Sequence, residues 1–200
     1  MNFLAIDTST DICSISLCID NKIIDTNHEL VNSSHTKLLA TNVDLMIKNN
    51  NISLDILDYL VLAIGPGSYS GLRVGSSFMK GLAYAIQKNI IPINTIESMN
   101  STLDIKGNYY VAIFSHRDYV FYQEFSNGSP IGKQGCDCIT NLKDIDFYGY
   151  GLNKISNINY TEVLTSSLNL VDYLLKNHDL LVAEKKHISE ISPIYLTKNN

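Results

Sequence analysis

The sequence predicts an α/β protein made of two related lobes, each laid out β-β-β-α-β-α. Three observations carry this. Short apolar runs bounded by Asn, Asp, Gly and Ser read as strands. Longer stretches with apolar residues at helical spacing lie between them. The order found in the first half then returns, more weakly, in the second half.

Phe3 to Ile6 is a short apolar run. Ile12 to Ile19 alternates, with Ile12, Ser14, Ser16 and Cys18 on one face and Cys13, Ile15, Leu17 and Ile19 on the other. Asp20-Asn21 supplies the turn into a third strand, Lys22 to Glu29. Asn32-Ser33-Ser34 reads as a helix start, because short polar side chains accept from the N–H groups that a first turn leaves unpaired. The helix runs from His35 to about Lys48 on Leu38, Leu39, Val43, Leu45, Met46 and Ile47, and Asn49-Asn50-Asn51 ends it. A strand at Tyr59 to Ile64, a helix from about Ser70 to Lys88 and a strand at Ile90 to Ile93 complete the first unit.

In the second half, Tyr109 to Ser115 and Tyr119 to Phe125 alternate like a strand pair joined at His116-Arg117-Asp118. A glycine-punctuated strand at Phe147 to Gly151 and a helix from about Glu162 to Lys176 follow. The boundary falls at Thr95 to Gly107, giving lobes of residues 1–100 and 101–200, the second one trimmed.

The segment Gly65-Pro66-Gly67-Ser68-Tyr69-Ser70-Gly71-Leu72-Arg73-Val74-Gly75 joins an apolar strand to a long amphipathic stretch. Gly67 and Gly71 permit positive φ, Pro66 stiffens the loop, and Ser68 or Ser70 can cap the helix. Such a turn either cradles an anion, lets another surface sit very close, or is simply a tight turn. Its spacing is neither Gly-x-Gly-x-x-Gly nor a loop closed by Gly-Lys-Ser/Thr, which excludes the dinucleotide and P-loop fingerprints. On the helix, Leu72, Val74, Phe78, Met79, Leu82 and Ile86, with Gly71, Gly75, Ala83 and Ala85, spread over roughly half the circumference, wider than one core stripe. Either both lobes cover this helix, or part of its face meets another subunit. Arg73 and Lys80 lie on the polar side, as a solvated rim or as the polar edge of an interface.

The 200 residues are 45% hydrophobic, enough for a real core, and carry a formal charge of −5 with no cationic run. That balance excludes a strong grip on a nucleic-acid backbone, which depends on clustered cations. The opening Met1-Asn2-Phe3-Leu4-Ala5-Ile6-Asp7 has no basic stretch and is broken by Asp7, so no signal peptide is expected. No apolar run approaches about 18 residues, so no membrane span is expected, and the expected location is cytoplasmic. Cys136 and Cys138 form only a Cys-x-Cys, and Cys13 and Cys18 point to opposite faces of one strand, which is not a zinc framework.

The opening FLAIDTST with its hairpin, the NSSHTKLL helix start and the GPGSYSGLRVG to KGLAYAI stretch together resemble the TsaB (YeaZ) family, small subunits of the bacterial machinery for threonylcarbamoyladenosine (t6A) in tRNA. The resemblance is strong through Glu97-Ser98 and thin beyond. It implies the duplicated fold of actin, hexokinase and Hsp70-type ATPases (ASKHA, ribonuclease H-like). It also implies a non-catalytic partner of a larger TsaD-type paralogue that supports transfer to adenosine 37, in a complex with a TsaE-type ATPase. A homodimer when alone, tRNA reached only indirectly, and no cofactor of its own beyond a nucleotide at the subunit interface are the further implications. Partner contact through the first-lobe helices would use His35, Leu38, Leu72, Arg73, Gly75, Phe78, Met79 and Leu82. The second half departs from the family: Ser115-His116-Arg117 keeps only the arginine of an Asp-Ala-Arg turn, and Pro193-Ile194-Tyr195-Leu196 is followed by Thr197 in place of arginine.

The alternative is an independent enzyme of the same fold, a small-molecule kinase or an M22-like metallopeptidase. The larger paralogues hold metal through His-x-x-x-His, and His28, His35, His116, His178 and His187 include no such pair. His35 reads as a capping or packing residue. A residual nucleotide or phosphate site would fall on Asp7, Thr8, Ser9, Gly67 and Ser68, with Thr10 lending a further hydroxyl. Asp7 with the following hydroxyl residues is equally a good local turn, and Ser115 stands where a second carboxylate would be needed for phosphoryl transfer.

Overall fold

The computed structural model describes residues 1–31 and 35–197. The expected helix start at Asn32-Ser33-Ser34 lies outside the described residues. The first sheet comprises β1 (Phe3–Asp7), β2 (Ile12–Ile19), β3 (Lys22–Leu30), β4 (Tyr59–Ala63) and β5 (Ile90–Ile93), in the order β3-β2-β1-β4-β5. Strands β1 to β3 are antiparallel, and β4 and β5 continue parallel to β1. Asp20 and Asn21 both take positive φ in the turn between β2 and β3, the conformation a two-residue hairpin demands. Helices α1 (His35–Asn49) and α2 (Tyr69–Ile86) connect β3 to β4 and β4 to β5, and α3 (Thr95–Asn100) follows β5.

The second sheet repeats the plan. Strands β6 (Asn108–His116), β7 (Tyr119–Ser126), β8 (Ser129–Cys138), β9 (Asp146–Tyr150) and β10 (Thr161–Glu162) lie in the order β8-β7-β6-β9-β10, followed by α4 (Ser167–Lys176) and α5 (His178–Ala183). The two halves differ in their helices. Where the first lobe has α1 and α2, the second has the 3-10 turns Ile139–Asn141 and Leu152–Lys154.

Several elements differ from the sequence reading. The last long helix starts at Ser167, not Glu162, because Thr161 and Glu162 pair with β9 and Ser166 caps the helix by accepting from Leu168 N–H at 3.0 Å. The segment expected to be a boundary holds α3, capped by Asn94 accepting from Glu97 N–H. Strand β8 has Pro130, Gly132 and Gly135 and little apolar alternation, a composition an edge strand tolerates. Leu45, assigned to the buried stripe of α1, is 49% exposed, while Leu39, Val43 and Met46 carry the packing.

The core has layers on both faces of the first sheet. Leu4, Ile6, Ile15 and Leu62 face α1 and α2, whereas Phe3, Ala5, Val61 and Ile93 face Leu170, Val171 and Leu174 of α4. Each such large side chain contributes about 1.5–3 kcal/mol on full burial. Helix α4 thus comes from the second half of the chain and covers the first sheet, while Ile96 and Met99 of α3 pack with Tyr109 and Val111 of the second. A hydroxyl seam fixes α4. Ser167 Oγ lies 2.7 Å from both Ser14 Oγ and Ser16 Oγ, its N–H donates to Ser14 Oγ at 3.0 Å, and Thr10 and Thr165 bond at 2.6 Å. Cys13 and Cys18 sit in the opposite layers. Burial, then the Glu29 and Asp7 charges, push the Cys13 thiol up to about 11.

Candidate partner-docking face and interlobe cleft

The glycine segment packs α2 against the turn between β1 and β2. A Cβ on Gly67 would meet the Ser9 carbonyl oxygen, one on Gly71 the Thr8 carbonyl oxygen, and one on Gly75 the Thr8 hydroxyl, all inside the 3.0 Å that real Cβ atoms do not cross. Ser68 N–H donates to Ser9 C=O at 2.6 Å, and Thr8 Oγ1 donates to Gly71 C=O at 2.8 Å. Gly67 and Gly71 are therefore small for closeness, not for positive φ as the sequence suggested; Gly65, at φ 99°, is the residue of the segment that takes that conformation. Ser68 caps α2 by accepting from Gly71 N–H at 3.3 Å.

The residues proposed from sequence as a phosphate site are brought together: Ser9, Gly67 and Ser68 line the interlobe cavity described below, while Asp7 and Thr8 lie buried in the turn beneath it. Asp7, Thr8 and Ser9 are buried, and Asp7 Oδ1 accepts from Ser9 N–H at 2.8 Å. This is the local turn that Asp followed by hydroxyl residues favours.

Close seating on the inner side splits the wide apolar face of α2. Leu72, Gly75 and Met79, expected at an interface, point into the chain's own core, with Leu72 at 1% and Met79 at 0% exposure. Val74, Phe78 and Leu82 remain half-buried at the margin of that core, as does Leu38 of α1, and Arg73 is exposed. Thr36, Leu39, Arg73, Val74, Ser77 and Phe78 line a largely apolar cavity of about 430 Å³ between the helices. Lys80, read as polar edge, is half-buried. His35 opens α1, and its side chain lies outside the described structure.

A second cavity, about 520 Å³, lies between the lobes. Ser9, Thr10, Asp11, Ser68 and Ser70 form its first-lobe wall, and Phe114, Ser115, Phe121, Tyr150 and Lys154 the other. Asp11 clasps the two. Its carboxylate accepts from Tyr150 Oη at 2.7 Å and from Lys154 Nζ at 3.2 Å. Burial acts to raise the Asp11 pKa, but these bonds and the Lys154 charge outweigh it and hold the carboxyl below the ordinary aspartate range. Burial and then the Asp11 carboxylate push the Tyr150 phenol upward. Among the described residues no group of three or more His, Cys, Asp or Glu side chains is placed to hold a metal ion, and no helix is long and apolar enough to cross a membrane.

Sequence reasoning missed the Asp11 clasp and the hydroxyl seam. The seam had a signal: Ser14 and Ser16 share one face of a strand whose other face is wholly apolar. The clasp had none, since Asp11 and Tyr150 are 139 positions apart.

Two five-stranded sheets of matching order, flanked by helices about an interlobe cleft, define an α/β protein of the duplicated ASKHA type. A solved structure, YeaZ from Pseudomonas aeruginosa, superposes with a TM-score of 0.81 at 19% identity over 98% of this chain and 99% of that one. The family model described as TsaD, tRNA N6-adenosine threonylcarbamoyltransferase, matches residues 23–126, just over half of the chain. The tRNA threonylcarbamoyladenosine biosynthesis protein TsaB of Haemophilus influenzae is 29% identical over 98% of this chain and 93% of its own length. The tRNA N6-adenosine threonylcarbamoyltransferase of Chlorobium phaeobacteroides is 33% identical over 49% of this chain, which spans only 32% of that protein. The chain belongs to the TsaB (YeaZ) family.

Proposed function

We propose that this chain acts in tRNA threonylcarbamoyladenosine biosynthesis as a non-catalytic subunit that docks a TsaD-type transferase through the outer face of α1 and α2. The observation that carries this is the division of α2: its small residues are spent on the chain's own β1–β2 turn, leaving Val74, Phe78 and Leu82 only partly covered at the edge of the core, with Val74 and Phe78 lining an apolar cavity. Helices α1 and α2 fall wholly within the residues that match the transferase family model. The burial of Asp7 and Thr8 in the β1–β2 turn, with Asp7 Oδ1 accepting from Ser9 N–H, favours this over a phosphoryl-transferring enzyme built on Asp7. The formal charge of −5 fits a chain that meets tRNA through its partner. Self-association through the same face, in the absence of partner, and a TsaE-type ATPase as a further member of the complex belong to the same reading.

The mechanism is conformational. A subunit that docks on one arrangement of the transferase shifts its population toward that state, by no more than the difference in binding free energy between states. The test is light-scattering mass of the chain alone and mixed with the TsaD-type protein of the same cell. Wild type forms a mixed complex, and Phe78→Glu, which places a charge in a desolvated apolar contact, does not. A folded Phe78→Glu chain that still pairs normally defeats the proposal.

A further inference from the structure

The segment after α5 is fastened to the first lobe at three points and delivers Tyr195 to the start of α2. Lys186 pairs antiparallel with Ile90 at the β5 edge, through hydrogen bonds of 2.9 and 3.2 Å. Ile191 is buried in the layer that holds α1 and α2. Ile194 N–H donates to Ile64 C=O at 2.7 Å. With these three points fixed, the Tyr195 ring lies 4.9 Å from the Tyr69 ring, tilted by 42°. Tyr69 accepts on its phenol oxygen from Arg73 Nη1 at 3.0 Å, and the guanidinium carbon lies 5.1 Å from the ring centroid. The three side chains form one continuous stack, and Arg73 also lines the cavity between α1 and α2.

This stack is on the surface. Tyr69 is 60% and Tyr195 45% exposed, so it contributes little to the core. Tyrosine and arginine are the residue types enriched at binding hot spots, and side chains already held by their neighbours lose less freedom on docking. We infer that the Tyr195–Tyr69–Arg73 stack anchors the docking face, with Tyr195 as a positioning residue that holds the other two in their binding rotamers. The inference rests on the docking reading above. Its occupant is a TsaD-type protein, because the match to the transferase family model spans α1, α2, Tyr69 and Arg73, so that partner presents helices of the same pattern. It also gives the Pro193-Ile194-Tyr195-Leu196 motif a role: Ile194 ties the strand end while Tyr195 turns outward.

The experiment measures binding kinetics of the full chain with the TsaD-type protein of the same cell, at fixed salt. Tyr195→Ala is expected to weaken binding about ten-fold or more, mainly through faster dissociation, with the melting temperature unchanged. Tyr195→Phe is expected to bind within about two-fold of wild type, because the ring and not the hydroxyl meets Tyr69. Wild-type affinity in Tyr195→Ala overturns the inference, as does a loss that tracks a lowered melting temperature and is not restored by phenylalanine. Phe78→Glu runs in parallel. If it abolishes binding while Tyr195→Ala is neutral, only the anchor fails; if it too binds normally, the docking reading fails with it. A Tyr195→Ala chain that loses self-association alone makes the occupant a second copy and overturns the assignment.

Discussion

Glycine 71 and glycine 81 lie on one helix and should respond to alanine in opposite directions. At Gly71 the new methyl group meets the Thr8 carbonyl oxygen, which is backbone and cannot rotate aside, so α2 or the β1–β2 turn has to move. Overpacking of this kind costs about 1–3 kcal/mol. The movement also strains the buried Thr8 Oγ1 to Gly71 C=O hydrogen bond, a further cost of about 0.5–1.5 kcal/mol. Alanine returns about 1 kcal/mol through its helix propensity. The net is a loss of about 2 kcal/mol. At Gly81 nothing lies within 4 Å of an added Cβ, so only the propensity operates and the variant gains about 1 kcal/mol. Urea unfolding resolves the difference: with a slope of about 3 kcal/mol/M for a chain of this size, the midpoint falls by roughly 0.7 M in Gly71→Ala and rises by roughly 0.3 M in Gly81→Ala. A Gly71→Ala chain as stable as wild type would refute the claim that the glycine segment is small because α2 is seated on the β1–β2 turn.

Two further perturbations report on how the lobes are joined. Asp11 has a lowered folded-state pKa, so its clasp stabilises fully above the unfolded value of about 3.9 and is lost as pH falls through the folded value. Asp11→Asn should therefore be less stable than wild type by a constant margin at neutral pH, with the gap closing below pH ~4 in denaturant melts; a gap that widens with acid would contradict the assignment. Ser167→Ala removes the hydroxyl shared by Ser14 and Ser16 inside the protein and should lose about 1–3 kcal/mol by the same assay, far more than a surface serine.

What the sequence disclosed and what it withheld divide along physical lines. Strand β2 was legible because one face alternates apolar residues, and the β2–β3 turn because Asp20-Asn21 is a hairpin pair. Strand β8 was not, because an edge strand needs only one paired side and tolerates proline and glycine. The glycine segment announced close approach but not what approached: the Thr8 and Ser9 carbonyls lie more than fifty residues upstream, and their placement depends on how α2 packs. The half-circumference apolar face of α2 was visible in the sequence. Its partition into Leu72 and Met79 fully buried and Val74, Phe78 and Leu82 only partly covered was not, because helical periodicity gives the width of a face and not how much of it the chain itself covers.

That partition limits how much of the docking energy the outer stripe can supply. Completing the burial of a valine, leucine or phenylalanine that is already mostly covered gains at most about 1 kcal/mol, a third of the value for full burial. Val74, Phe78 and Leu82, met by three similar side chains of a partner, then give at most about 6 kcal/mol. Association itself costs about 4–15 kcal/mol in lost translation and rotation, and a micromolar complex needs about 8 kcal/mol of net gain. Six aliphatic and aromatic contacts therefore leave a deficit at every value in that range. The difference has to come from larger groups: α2 carries two exposed rings, Tyr69 and Tyr84, and the first of them is met by Tyr195 and bridged to the cavity by Arg73. An interface confined to the helix stripe would be weak and readily exchanged; one that includes the C-terminal tyrosine gains both area and a pre-ordered anchor, and ties partner affinity to a segment outside the first lobe's own sequence.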